Sequence, residues 1–234
     1  MSVDNRDLKF FCILASIFFM NLMVLSHSAE SYYPLKEGMN WEYQFFFKSM
    51  LNSIGGQKMI VTNFAHREMR GKTVTPQKVD VLGQSSFVYI GEDNDGIFEF
   101  AKQLPNAFEP EINQSPQYIL KNPIKVGIRW IIEYKTVLLN QNFSIPLNST
   151  IENIDDIVTV PAGTFQNCVR VKCTGGINKN LGHFQGKARI KVLSHSWYAP
   201  GVGLIKSIIE EKSNHLLVGK GGTISVQLDS YKMK

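Results

Sequence analysis

Apolar and polar residues alternate along most of the chain beyond residue 30, which is typical of strands in a half-buried sheet. Around residue 170, for example, Val169, Val171 and Cys173 share one face, while Arg170 and Lys172 share the other. No segment sustains the 3.6-residue period of an amphipathic helix. The pattern therefore predicts an all-β protein whose strands are mainly antiparallel.

Turn-forming residues divide this alternation into short runs. The predicted strands lie near residues 42–47, 57–65, 73–82, 85–91, 97–101, 130–139, 144–152, 156–160, 165–174, 186–198, 204–211 and 222–232. Loops are predicted at 175–182 and 214–222. The pair Asp95-Gly96 between two alternating runs predicts a tight hairpin. The same place resembles the start of a calcium loop, but no Glu stands at the far end, so the hairpin is favoured.

Turn-forming prolines and glycines are concentrated between residues 156 and 206. Pro161 presets φ for a turn corner, and Gly163 permits a positive φ directly after it. Gly201 and Gly203 break the chain again, shortly after Trp197. We predict that Gly163 and Gly201 hold backbone conformations that a Cβ disfavours.

One short motif occurs twice. The pattern Pro-[Leu/Ile]-Lys-x-Gly-x-x-Trp begins at Pro34 and again at Pro123, 89 residues later, so that the copies end at Trp41 and Trp130. Each copy is followed by an apolar or aromatic run. The repeat predicts two related β-meander halves, each begun by a Gly turn and anchored by a Trp. The alternative is that two unrelated turns share these residue types by coincidence.

The repeat and the proline content set the predicted domain organisation. The first β half is predicted at 30–102 and the second at 123–234. Residues 103–122 contain Pro105, Pro110 and Pro116, and they are predicted to form a linker between the halves.

The N-terminus has the pattern of a secretory signal peptide over residues 1–29. Arg6 and Lys9 precede an apolar run at 10–25, and small residues follow, with cleavage predicted near Ser28 or Ala29. The alternative, an uncleaved anchor, would need about 20 apolar residues, more than this run offers. No second stretch is long and apolar enough to span a membrane, so the mature chain is expected to be soluble or peripheral. The signal peptide predicts that it is exported, either periplasmic or secreted.

Composition and charge exclude some partners. The chain has 234 residues with 44% hydrophobic and 19% charged residues, and its formal charge is +5. No run of five like charges and no RNP-like or zinc-finger pattern occurs, so nucleic-acid binding is not expected. The two cysteines beyond the signal peptide, Cys168 and Cys173, are predicted to be free thiols. Five residues of strand separate their Cα atoms by about 16 Å, whereas a disulfide needs about 7 Å or less.

The usual catalytic motifs do not occur. The sequence has no Gly-x-Ser-x-Gly elbow, no His-Glu-x-x-His and no glycine-rich phosphate loop. Cys168 with His195 is a conceivable nucleophilic pair, but a surface or core histidine is the simpler interpretation. The adjacent acids Asp155-Asp156 and Glu210-Glu211 split across two faces of a strand and suit general acid–base catalysis poorly. No catalytic residue, cofactor or metal is therefore predicted.

Three motifs together resemble a known family. Val160-Pro-Ala-Gly-Thr-Phe followed by Cys168-Val, then Trp197-Tyr-Ala-Pro-Gly-Val-Gly-Leu-Ile-Lys206, with the Pro-Leu-Lys-x-Gly-x-x-Trp lead-in, look like a TapB-like family of exported bacterial proteins of largely unknown function. The resemblance covers nearly the whole mature chain. It implies a bacterial envelope protein built on a curved antiparallel sheet or half-open barrel. More remotely the chain is similar to the lipoprotein carriers LolA and LolB, whose half-open barrel holds acyl chains. No catalytic residue is carried over.

These observations predict a non-enzymatic exported envelope protein that binds a lipid-like or apolar ligand. The alternatives are a structural or accessory protein that binds another envelope protein through a sheet edge, and a hydrolase whose site the sequence does not reveal. The identity of the ligand and the oligomeric state stay open.

The predicted ligand face is aromatic. It would be built from the strands Tyr43–Phe47, Phe87–Phe100 and Trp197–Tyr198, with basic residues beside an anionic head group. Those basic residues are Lys187, Arg189 and Lys191. The alternative is that the aromatic side chains simply fill the core, as in small barrels.

Overall fold

Strands make up most of the chain in the computed structural model, which describes residues 31–49, 53–140, 142–182 and 186–233. The strands are β1 Asn40–Ser49, β2 Ser53–Asn63, β3 Arg67–Met69, β4 Lys72–Val81, β5 Gln84–Asp93, β6 Gly96–Gln103, β7 Glu111–Lys121, β8 Arg129–Lys135, β9 Ser144–Val160, β10 Gly163–Asn180, β11 Lys187–Ala199, β12 Gly203–Ser213 and β13 Gly221–Lys232. One 3-10 turn, Leu216–Val218, precedes β13. The predicted signal peptide and His183 lie outside the described residues.

The strands form one antiparallel sheet that is nearly closed into a barrel. Its order is β7-β6-β5-β4-β2-β1-β13-β12-β11-β10-β9-β8, with the short β3 paired to β4. Two consecutive meanders are thus joined where β1 pairs with β13. The prediction of an all-β, half-open antiparallel barrel is confirmed. Among the described residues, no helix has the length and apolarity that a membrane crossing requires.

The barrel has one unsealed seam, between β7 and β8, where side chains replace the backbone ladder. Trp130 Nε1 donates to the carbonyl of Tyr118 at 2.8 Å. The backbone N–H of Glu133 donates to Gln117 Oε1, also at 2.8 Å. These contacts give some backbone groups of the two edge strands a side-chain partner, which reduces their exposure to other chains.

The two copies of the repeated motif form the same turn. Gly38 N donates to Asn63 O at 3.0 Å, and Gly127 N donates to Ile151 O at 2.9 Å. Both glycines have a positive φ, 77° and 90°, which explains why glycine occupies the position. The duplication itself stays a prediction.

The tryptophans that end the two copies are also alike. Trp41 is 4% exposed and Trp130 is 8% exposed. Trp41 Nε1 donates to the carbonyl of Val202 at 2.7 Å, and Trp130 Nε1 donates to a backbone carbonyl across the seam. Each ring therefore buries its apolar body and satisfies its one polar atom, as a buried Trp must.

The predicted linker at 103–122 is not a linker throughout. Residues Glu111–Lys121 form β7, which pairs with β6. Pro116 lies in this strand because β7 is an edge, where a missing backbone N–H costs no ladder hydrogen bond. Proline content alone could not distinguish an edge strand from a loop.

The predicted loop at 175–182 is also wrong over most of its length, because β10 continues to Asn180. Gly175 and Gly176 lie inside the strand, where neighbouring backbones approach closely. A Cβ on Gly175 would lie 2.4 Å from Pro146 O, and one on Gly176 would lie 2.5 Å from Ile190 O. These glycines mark close strand packing and not a turn.

The hairpin predicted at Asp95-Gly96 joins β5 to β6. Asp93 Oδ1 accepts from the backbone N–H groups of Asp95 and Gly96 at 2.9 and 3.0 Å. Its Oδ2 accepts from Tyr118 Oη at 3.0 Å. Asp93 therefore stabilises the turn, which is the usual role of Asp in this position.

The core consists mainly of two clusters of buried residues. The first contains Leu120, Trp130, Leu139, Phe143, Ile145, Leu147, Ile151, Val169, Val171, Cys173, Ala188, Ile190, Val192, Tyr198 and Val218. The second contains Met39, Trp41, Tyr43, Val158, Val160, Cys168, Ala199, Val202, Ile205, Val226 and Leu228. Cys168 and Cys173 are both buried and free, in different clusters, as the strand geometry predicts.

Replacing Gly163 or Gly201 with valine is expected to destabilise the fold. The two glycines have φ values of 135° and 71°, which a β-branched residue disfavours. Such strain costs about 1–3 kcal/mol at each position. Thermal unfolding measures the loss, and Gly55→Val is the matched control, because a Cβ there meets only Phe46 at 3.7 Å. Wild-type melting temperatures for both variants would contradict the expectation.

Candidate functional site: an apolar cavity in the barrel

A cavity of about 270 Å³ lies on the side of the barrel formed by the first meander. Its walls come from β1, β2, β4, β5, β6 and β7, from the segment before β1, and from the start of β12. The lining residues are Tyr33, Pro34, Trp41, Tyr43, Met59, Val61, Gln77, Val79, Val88, Ile90, Glu99, Ile119, Gly203 and Leu204. Most of these side chains are apolar or aromatic.

Strand alternation places these residues on one face. Each of β1, β2, β4 and β5 contributes two residues that are two positions apart, so both side chains point the same way. The register then aligns them across the sheet: Trp41 is opposite Val61, and Val61 is opposite Val79. The apolar wall is therefore continuous over neighbouring strands.

The segment before β1 forms a further part of the wall. Tyr33 Oη donates to Gln77 Oε1 at 2.9 Å. Gln77 Nε2 donates to Asn63 Oδ1 at 2.8 Å. Asn63 Nδ2 in turn donates to the carbonyls of Pro34 and Lys36 at 3.2 and 3.1 Å. This buried chain of hydrogen bonds fixes Tyr33 and Pro34 against the barrel.

The polar atoms of the aromatic lining are already paired. Tyr43 Oη donates to the carbonyl of Leu204 at 2.9 Å, and Trp41 Nε1 donates to the carbonyl of Val202. Burial raises the pKa of Tyr43 well above its usual value, and burial followed by the nearby Glu99 carboxylate raises that of Tyr33. Both hydroxyl groups are therefore protonated at neutral pH, and the aromatic wall is uncharged.

Glu99 supplies the one formal charge among the lining residues. Asn113 Nδ2 donates to the Glu99 carbonyl at 3.0 Å and approaches its Oε1 at 3.4 Å. None of the lining residues is a lysine or an arginine. A carboxylate with four lone-pair sites and one long hydrogen bond can accept further donors.

The predicted basic residues do not lie at this cavity. Lys187, Arg189 and Lys191 are exposed and alternate along β11 with buried residues, beginning with Ala188 and Ile190. They therefore lie on the opposite face of the strand, and the prediction that they accompany an anionic head group is wrong. The sequence contains this signal, since Ala188, Ile190 and Val192 alternate with the three basic residues and charged side chains usually face solvent.

The sequence-predicted motif residues fall into separate places. Trp41 and Gly203 line the cavity. Gly201 N donates to Ser31 O at 3.0 Å and so helps to hold the segment before β1. Pro161 and Gly163 form the β9–β10 turn and are not part of the lining, and Trp130 lies at the seam.

Trp197 lies on the outer face of the sheet. Its Nε1 donates to Asp156 Oδ2 at 2.9 Å, and its ring stacks on His195 with centroids 6.0 Å apart. Lys206 Nζ lies 5.5 Å from the ring centroid. Of the three aromatic strands predicted to form a ligand face, the one at Trp197–Tyr198 therefore does not line the cavity. The range Phe87–Phe100 contributes Val88, Ile90 and Glu99, none of them aromatic, while Phe87, Tyr89 and Phe100 belong to a separate cluster.

Sequence reasoning missed several lining residues: Met59, Val61, Gln77 and Val79. Their alternation within the predicted strands at 57–65 and 73–82 was a usable signal. It indicated the buried face of each strand, but only the assembled barrel shows that these faces leave a cavity.

The conceivable nucleophilic pair, Cys168 with His195, does not form a catalytic site. Cys168 is fully buried, and burial, followed by the nearby Asp156 carboxylate, raises the pKa of its thiol to about 11. His195 lies near Glu152, with its Nε2 3.8 Å from Oε2, and burial lowers its pKa. No hydrogen bond joins Cys168 and His195 in the described chain. The thiol is therefore protonated at neutral pH and has no general base.

The acidic pairs and possible metal ligands are also separated in the described residues. Glu210 is partly exposed while Glu211 is buried, so this pair splits across the strand as predicted. The described residues contain no cluster of three or more His, Cys, Asp or Glu side chains that could hold a metal ion.

No protein-family model matches the chain, and no curated protein matches it. Two solved structures are similar. One is a predicted lipoprotein from Parabacteroides distasonis, 16% identical over 87% of this chain and 99% of that chain, with a TM-score of 0.41. The other is a predicted exported protein with a YmcC-like fold from Bacteroides fragilis, 14% identical over 88% of this chain and 100% of that chain, with a TM-score of 0.43. At these TM-scores the similarity carries no argument about function.

Proposed function

We propose that this chain is a non-enzymatic exported protein that binds a small apolar or lipid-like ligand in the cavity lined by Trp41 and Tyr43. The observation that carries the proposal is the cavity itself, which is apolar over most of its wall and holds few polar groups. At about 270 Å³ it lies just below the 300–1,000 Å³ typical of ligand pockets, so the ligand is small.

The chemistry of the wall supports an apolar ligand. The hydroxyl groups of Tyr33 and Tyr43 and the Trp41 indole N–H are satisfied by protein acceptors. A wall with so few available polar groups offers water little hydrogen bonding, and cavities of that kind take up apolar molecules. A sugar or a nucleotide would lose its hydration here without regaining hydrogen bonds.

Export is part of the proposal and rests on the N-terminal sequence. The charged residues, apolar run and small residues of 1–29 have the order of a secretory signal peptide. Cleavage near Ser28 or Ala29 would leave the segment that begins at Ser31, whose Tyr33 and Pro34 close part of the cavity.

Filling the cavity is expected to weaken ligand binding. Val88 lines the cavity, and Val88→Trp would place an indole in the space that the ligand occupies. We expect the wild-type protein to bind the apolar dye N-phenyl-1-naphthylamine saturably, and the variant to bind it at least about tenfold more weakly, the equivalent of about 1.4 kcal/mol. Fluorescence titration measures both affinities.

The matched control for this titration is Val126→Trp, because Val126 is 51% exposed and outside the lining. The control is expected to bind the dye like the wild type. Circular dichroism shows whether the larger side chain disturbs the barrel. No saturable binding by the wild type, or equal binding by both variants, would contradict the proposal.

The second candidate function is binding of another envelope protein through a sheet edge, and one observation favours it. The residues Ser53–Lys58 of β2 pair with β1 on one side, but the pairing of β2 with β4 begins only at Met59. This part of β2 is exposed and offers an edge to a partner strand. A wild-type protein that binds no dye but forms a stable complex through this edge would favour the second candidate.

A further inference from the structure

We propose that the ligand of the cavity is a cationic amphiphile, a molecule with an apolar tail and an ammonium group, and that Glu99 receives the ammonium group. This inference rests on the proposed ligand-binding function. It also reverses the charge of the head group that the sequence predicts.

The position of Glu99 is the first support. Glu99 lies on β6, opposite Ile90 of β5 and Gln117 of β7. Ile90 lines the cavity beside it, and Ile119 of β7 contributes to the same wall. The carboxylate is therefore part of a mostly apolar wall, where a charge interacts more strongly with a ligand than it would in open water.

The second support is that no cation of the described chain neutralises Glu99. Other carboxylates on the barrel have partners: Glu42 lies 2.7 Å from Lys58, Glu210 lies 2.6 Å from Lys212, and Glu152 lies 3.2 Å from Arg170. No salt bridge involves Glu99 in the described chain, where Asn113 is its hydrogen-bond partner. A ligand ammonium would supply the missing positive charge.

The aromatic wall gives the third support. Tyr33, Trp41 and Tyr43 all line the cavity. Aromatic faces attract ammonium groups through the ring quadrupole, and this attraction adds to that of a carboxylate. Trp41 and the two tyrosines also tolerate the adjoining methylene groups of an amine, since their polar atoms are already paired.

The same arrangement disfavours a fatty acid. A ligand carboxylate in this cavity would lie near Glu99 with no lining lysine or arginine to offset the repulsion. Like charges placed together without a counter-charge are strongly unfavourable in a binding site. The cavity therefore discriminates by charge between amphiphiles of equal chain length.

Three ligands of equal tail length test this inference: decylamine, decanol and decanoate. Each ligand is titrated against the dye-bound protein below its micelle concentration, and displacement of the dye is measured. The titration is done at neutral pH, where the amine is cationic and the acid anionic. We expect decylamine to bind at least about tenfold more tightly than decanoate, because one is attracted and the other repelled. Decanol, which is uncharged, is expected to lie between them.

Glu99→Gln is the decisive variant. It keeps the shape of the side chain and an oxygen for Asn113 Nδ2, but it removes the charge. We expect the preference for decylamine over decanoate to fall to about threefold or less, while decanol still binds saturably. Glu92→Gln is the matched control, because Glu92 is an exposed carboxylate on the adjacent β5, outside the lining.

The outcomes separate the two proposals. Failure of decanol and the dye to bind the wild type would overturn the proposed function. Binding of decanol with no preference between the two charged ligands would leave that function standing and overturn the cationic inference. A preference that persists in Glu99→Gln would also overturn the role of Glu99, and decanol binding by the variant shows that its cavity is intact.

Discussion

Replacing Glu211 with alanine is expected to lower the free energy of unfolding by about 3 kcal/mol or more, one of the two largest effects that we predict. Glu211 lies on β12 and is 0% exposed. Its Oε1 accepts from Tyr134 Oη and from the backbone N–H of Val137, both at 2.7 Å. Its Oε2 accepts from Leu138 N at 3.0 Å. Each donor left unsatisfied costs about 1–3 kcal/mol, partly offset by no longer burying the carboxylate.

Two further variants make the Glu211 prediction specific. Glu211→Gln keeps the oxygen that serves Tyr134 and Val137 but turns an amide NH₂ toward the N–H of Leu138, so a smaller loss of about 1–2 kcal/mol is expected. The matched control is Glu210→Ala, whose partly exposed carboxylate pairs with the largely exposed Lys212. Such pairs contribute about 0–1 kcal/mol.

Denaturant titration measures the free energy of unfolding of Glu211→Ala, Glu211→Gln and Glu210→Ala. Equal losses for Glu210→Ala and Glu211→Ala would show that the buried carboxylate does not hold the segment after β8. Because that segment follows β8, which forms one side of the seam, a loss at Glu211 also tests how strongly β12 supports the open edge of the barrel.

Trp41→Ala and Trp130→Ala are each expected to cost about 3–5 kcal/mol, the range for truncating a well-buried aromatic side chain. Both rings are buried, and both indole N–H groups donate to a backbone carbonyl. An equal loss is what the predicted duplication implies for the two tryptophans that end the repeated motif. Chemical denaturation measures the loss of unfolding free energy, provided that its dependence on denaturant concentration is the same in variant and wild type.

The phenylalanine variants separate packing from hydrogen bonding at these positions. Trp41→Phe and Trp130→Phe keep an aromatic ring but leave the carbonyls of Val202 and Tyr118 without their donor, which costs about 1–3 kcal/mol. Trp197→Ala is the control, since this ring is only partly buried, and a smaller loss is expected. If only one of Trp41 and Trp130 falls in the predicted range, the equivalence of the two halves is wrong.

The sequence determined the all-β class because strand alternation and turn residues are local signals. The turn glycine of each repeated motif, the hairpin after Asp93 and the separation of Cys168 from Cys173 all follow from the backbone of a few consecutive residues. Local geometry of that kind does not depend on the rest of the fold.

The glycines and prolines show where local reasoning fails. Residues 175 and 176 of β10 are glycines because neighbouring backbones approach too closely for a Cβ. Pro116 is tolerated in β7 because that strand is an edge. Both facts depend on which strands are neighbours. The sequence contains the residue types, but it does not contain the pairing that gives them their roles.

The cavity was decided by the tertiary structure alone. Alternation divides each strand into two faces, and residue type indicates that charged residues such as Lys187 and Arg189 face outward. Nothing local shows, however, that Val61, Val79 and Val88 line one unfilled space. That space follows from how the two meanders join through β1 and β13 and curve toward the seam. Closure of the sheet brings Glu99 to the same wall as Trp41, although the two residues lie on strands far apart in the chain, and it thereby sets the charge of the candidate ligand site.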